Sequence, residues 1–272
     1  MKLDNNEALE DSFIVLEAAR KNADELKIAI RDFLKESPYK LVKYNSGYEQ
    51  KIIVEQKIKT PNAIKQLLNN FLNNCRSSLE YLTGDLVRAN NVNANCDNLY
   101  FPTADSEKKF LAIFHQKQVS PKQKKVAPKG IMQASDEVIA KLTEGEFYEG
   151  GKGSSIRGLH DLNNTTKHRH LIPSYSTVTL KNLKVFGLTI ENSTGATNSD
   201  GTAFKAFDFG APRNSMGERQ SITEPELQFD DEVVFDIKIA GPECFSTQSL
   251  ATVVDLIYKD TYELVSSFKE YV

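Results

Sequence analysis

Three of the four histidines of this chain, His160, His168 and His170, fall between Ser155 and His170. Arg157, Lys167, Arg169, Asn163 and Asn164 share that stretch. Imidazole titrates near neutrality and can give or take a proton. Guanidinium and ammonium groups hold phosphate oxygens. Together they suit acid-base chemistry on a phosphodiester without a metal ion. In that reading His168 is the general acid or base. Arg157, His160, Asn164, Lys167 and Arg169 bind the substrate. If the stretch is helical, each residue advances by about 100°. Arg157, His160, Asn163, Asn164, Lys167 and His168 then share roughly 140° of arc, beside an apolar flank of Ile156, Leu159 and Leu162.

Other readings of the same residues compete with this one. Positive charge is favoured at a helix C-terminus, so Lys167, His168 and Arg169 also read as a solvated helix end. A metal centre fits poorly. His160 and His168 are about 12 Å apart along a helix, and no cysteine stands in the stretch. No metal and no other cofactor is expected.

A second candidate lies upstream. Arg76 and Glu80 are one helical turn apart and can pair. As a functional pair, Arg76 is an anion clamp at the edge of the site and Glu80 orients it. As a bland one, they are a surface ion pair worth a few tenths of a kcal/mol. The glycine-rich run from Gly145 to Gly153 fails as a phosphate loop. Its spacing is off, Gly153 stands where Ser or Thr would hold magnesium, and no apolar strand precedes it. It reads as a flexible connection. Lys117, Lys122, Lys124, Lys125 and Lys129 belong to a proline-containing tether without interleaved aromatics.

These residues must be carried by helices and strands legible in the pattern. Helical spacing predicts one helix over 5–36 and a second from Thr60-Pro61 to the asparagine-rich stretch 90–98. Between them, 39–58 reads as a β-hairpin around Asn45-Ser46-Gly47. Short helices are expected near 105–115 and 135–143, and a central helix over 155–168. From Ser176 the period changes. Strands are expected at Val178–Leu180, Val185–Ile190, Ala203–Phe209, Leu227–Phe229 and Val233–Ile239, with loops at 191–201 and 210–225. A last helix, Thr247 to Tyr271, starts with Thr247 as its cap. The expected fold is a single α+β domain over 1–272. Residues 1–175 are mainly helical, 176–240 form an appended antiparallel β-sheet, and 247–271 return to close a helical bundle with the N-terminal helix.

Composition narrows the setting. The 272 residues carry a formal charge of -3, nearly neutral, so no bulk attraction to nucleic acid or membrane is expected. No apolar run is long enough for a membrane span, and the N-terminus lacks a secretory core. Cys75, Cys96 and Cys244 are odd in number and scattered, which suits a reducing compartment. A cytoplasmic protein without a membrane partner is the expectation.

Two segments carry a resemblance. Arg76-Ser77-Ser78-Leu79-Glu80-Tyr81-Leu82 resembles the "LRSALDHL" helix of a broad set of uncharacterised bacterial and phage proteins. Leu159 to Arg169 resembles their "LHxLxNxxKHR" segment, and Phe101-Pro102 matches an "FP" pair between the two. Glu80 replaces the usual Asp of that helix and Tyr81 the usual His. More distantly, Asn164 and His168 are similar to part of the Arg-Asn-…-His motif of the HEPN superfamily, with Asn163 where Arg is expected. That resemblance implies up-down helices, action on RNA or a nucleotide, metal-independent ribonuclease activity, a place in phage defence or a toxin system, and a homodimer. The alternative is a non-catalytic binding or interaction protein whose polar His/Arg/Asn segment is structural.

Overall fold

The computed structural model describes residues 9–45, 49–94, 96, 99–114, 130–169, 174–185, 188–196, 204–210, 215–218, 233–239, 241–246 and 248–272. In chain order the elements are α1 (Glu10–Lys35), β1 (Tyr39–Asn45), β2 (Glu49–Gln56), α2 (Asn62–Asn90), α3 (Glu107–Phe114), α4 (Asp136–Glu144), α5 (Ser154–Arg169), β3 (Ser174–Val185), β4 (Leu188–Ala196), β5 (Phe204–Gly210), β6 (Val233–Ile239) and α6 (Leu250–Ser267). One-turn 3-10 segments stand at Gly130–Gln133, Glu243–Phe245 and Lys269–Tyr271. The class is α+β.

α2 is the centre of the helical layer, touching α1, α5 and α6. Its sequence explains this. Leu68, Phe71, Leu72, Cys75, Leu79, Leu82 and Leu86 are all buried and recur every three or four residues. α1 offers Leu16, Ala19, Ala23, Leu26, Ile30 and Phe33. α6 offers Val253, Val254, Ile257 and Val265. Burial pushes the Cys75 thiol upward, and Thr261 of α6 opposes the shift. Such a thiol is inert.

The strands form two three-stranded antiparallel sheets, in the orders β1-β2-β5 and β4-β3-β6. The single appended sheet expected from the sequence is therefore corrected. β5 leaves its sequence neighbours and pairs with β2, Lys51 facing Asp208 and Ile52 facing Phe207. The strand expected at Val185–Ile190 is also corrected. Val185 pairs with Leu188, so the chain reverses inside that apolar run. The loop expected at 191–201 is instead strand as far as Ala196. Ser249, not Thr247, caps α6, its hydroxyl accepting from the Thr252 N–H at 3.1 Å. Thr247, the lysine-rich tether and the strand expected at 227–229 lie outside the described residues.

The glycine-rich run proves to be a close turn rather than a slack connection. Phe147 is buried at its centre, 4.9 Å from Phe101 and 6.1 Å from Phe110. A Cβ on Gly145 or on Gly153 would stand 2.3 Å from the Phe147 ring. The glycines make room for that ring. The Ala104 N–H donates to the Phe147 carbonyl at 3.1 Å. Phe101 and Pro102 are thus core residues that anchor the turn leading into α5.

Candidate functional site

The seam between α2 and α5 holds most of the described polar side chains that the sequence singled out. Arg76 sits on the inner side of α2 and is only 4% exposed. A position with Leu79 and Cys75 as neighbours buries its stem. Its Nε donates to Glu80 Oε1 at 3.0 Å. Its Nη1 is buried and has no hydrogen-bond partner among the described residues. Burial lowers the pKa of this guanidinium. Glu80 opposes the shift, and the positive charge of Arg157 adds to it. The alternative reading as a surface ion pair is therefore corrected to a buried cation held by a half-buried carboxylate.

Arg157 of α5 is close enough to act on this cation as a like charge. Its Nη2 pairs with Asp161 Oδ1 at 2.6 Å, one turn away. Its Nε is buried without a hydrogen-bond partner among the described residues. Burial raises the Asp161 carboxyl above its usual range, and Arg157 opposes the rise. Asp161 was not among the residues the sequence singled out, though its i,i+4 spacing from Arg157 was a usable signal.

His160 and Asn164 pair with each other, Asn164 Nδ2 and His160 Nε2 being 2.8 Å apart. With the amide as donor, Nε2 accepts. Asn163 departs from the expected polar wedge. It is 1% exposed, and its Nδ2 donates to Asn73 Oδ1 on α2 at 2.7 Å. It is a fastening between helices. Ser155, the second residue of α5, donates its hydroxyl to Asp260 of α6. Nothing local in the sequence announces either partner. Lys167, His168 and Arg169 form the end of α5, and their side chains lie outside the described residues.

Two grooves flank the seam. One, of about 260 Å³, is lined by Glu149, Ser154, Arg157, Gly158, Asp161, Glu243 and Cys244. Its three carboxylates outnumber its one guanidinium, which disfavours an anion there. The Cys244 thiol, raised to about 11 by burial, is not a nucleophile at neutral pH. The other groove, also about 260 Å³, runs along the outer side of α2 past Ser77, Glu80, Tyr81, Gly84 and Arg88 to Leu99. Glu80 belongs both to this groove and to Arg76. Among the described residues no helix is long and apolar enough to cross a membrane. Comparison with protein-family models, with curated proteins and with solved structures returned no match.

Proposed function

We propose that the chain is a HEPN-like protein of the cytoplasm that acts on RNA or a nucleotide through the α2–α5 seam. Arg76 is the phosphate clamp and Glu80 orients it. The observation that carries this reading is the buried Nη1 of Arg76, left without a hydrogen-bond partner among the described residues and set near a second guanidinium, Arg157. A buried charged donor left unmade is costly. An anion that reached this Nη1 would remove that cost. Asn164 and Lys167 assist in holding phosphate. In the catalytic form of the reading, His168 is the general acid or base of a metal-independent ribonuclease.

The test is incubation of purified protein with tRNA and short RNA oligomers, with and without EDTA, alongside equilibrium binding of the same oligomers. Binding is expected, with any cleavage surviving EDTA. His168→Ala is expected to lower cleavage by about 10²-fold or more, the scale for loss of a general acid or base. Cleavage unchanged in that variant removes His168 from the mechanism. Absence of binding removes the proposal. A second reading, a non-catalytic binding protein with a structural polar segment, is favoured by the Asn163–Asn73 and His160–Asn164 pairs. It predicts binding without cleavage.

A further inference from the structure

Resting on the phosphate role of Arg76 just proposed, we infer that the groove outside α2 seats a guanine base. Its volume of about 260 Å³ is below the roughly 300–1,000 Å³ of sites for drug-sized ligands. One planar heterocycle fits it better than a larger ligand. Tyr81 lines the groove and is 46% exposed, an aromatic face available for stacking. Leu99 supplies an apolar wall, and Gly84 adds no side chain to fill the space.

The polar group that decides the base is Glu80. Its Oε1 is held by Arg76 Nε, which fixes the carboxylate at the groove. An ionised carboxylate only accepts, so its complement is a pair of N–H donors side by side. Guanine presents that pair on one edge, at N1 and N2. Adenine and cytosine set one amino donor beside a ring acceptor, and uracil sets one N–H between two carbonyls. Glu80 meets those edges with an acceptor against an acceptor. Arg76 thus steadies the carboxylate that takes the base.

Isothermal titration of the protein with GMP, IMP, AMP and ribose 5-phosphate tests this. IMP lacks only the N2 amino group. GMP is expected to bind about ten- to a hundredfold more tightly than IMP or AMP, the range for a two-donor base contact. In Glu80→Gln the ratio of GMP to IMP affinity is expected to fall towards one. Tyr81→Ala is expected to weaken GMP and IMP by similar factors and leave their ratio intact. Equal binding of all four compounds overturns the guanine seat and leaves the phosphate clamp standing. Binding of none overturns both, and preference for AMP overturns the guanine seat. Should Glu80→Gln fail to fold, the ratio of GMP to IMP affinity in the wild type still decides.

Discussion

Asn163 of α5 and Asn73 of α2 share a hydrogen bond of 2.7 Å in the interior of the helical layer. The amide pair fixes how far α5 slides along α2, and with it the placing of Arg157 against Arg76. Asn163→Ala leaves the Asn73 carbonyl without this partner in a partly buried place. A cost of about 1–3 kcal/mol is expected, seen as a fall of several degrees in the thermal midpoint. Replacing both residues with leucine is expected to recover most of the loss. A midpoint for Asn163→Ala within about 1 °C of wild type would show that the pair fastens nothing.

Arg76→Met separates clamp from scaffold. Methionine keeps much of the buried volume, and Glu80, its side chain 32% exposed, stays in reach of water. Replacing a buried ion by an apolar group is often neutral or stabilising. The midpoint is therefore expected within about 3 °C of wild type. Affinity for RNA or nucleotide should drop about tenfold or more, as for a lost charge-assisted hydrogen bond. Unchanged affinity would remove Arg76 from the site.

Gly158→Ala tests how closely α5 approaches the 3-10 turn at Glu243–Phe245. Helix propensity alone favours alanine by about 1 kcal/mol. A Cβ there would stand 2.6 Å from the Phe245 ring and 2.8 Å from Cys244 Sγ. Overpacking of that kind costs about 1–3 kcal/mol, so the clash wins and the variant should melt several degrees lower. A higher midpoint than wild type would contradict the contact.

Asp85 gives a pH signature. Burial raises its carboxyl above the usual range; Arg88 opposes the rise and Asp11 adds to it. The folded chain therefore holds that proton more tightly than the unfolded one. The stability this contributes is full below the unfolded value of about 3.9 and is lost as pH rises through the raised value. Asp85→Asn stays neutral throughout. It is expected to melt at or above wild type at pH 7, with the difference closing below about pH 4. Melting curves at both pH values check it. A variant that melts below wild type at pH 7 refutes it.

The long helices were legible because one apolar stripe per helix leaves little choice of face. The leucines of α2 and the valines of α6 are such stripes. The reversal between β3 and β4 was not, since Val185 and Ile190 belong to one apolar run and local pattern cannot tell a turn inside it. Nor was the β2–β5 pairing, which depends on segments remote in sequence. Within the site, spacing foretold the Arg76–Glu80 pair but not its burial. Asn163 lies at the edge of the polar arc, where a small rotation of the helix decides between water and core, and only the position of α2 settles that.

The pairing of β5 with β2 bears on biogenesis. The β1–β2 hairpin leaves the ribosome ahead of α2, yet the strand that covers the free side of β2 is made only after α5, β3 and β4. Throughout that interval the nascent chain presents an unsatisfied ribbon edge able to recruit a neighbouring nascent chain. Slowed translation across 60–200 would lengthen that exposure, and a holdase that shields β2 would shorten its consequences.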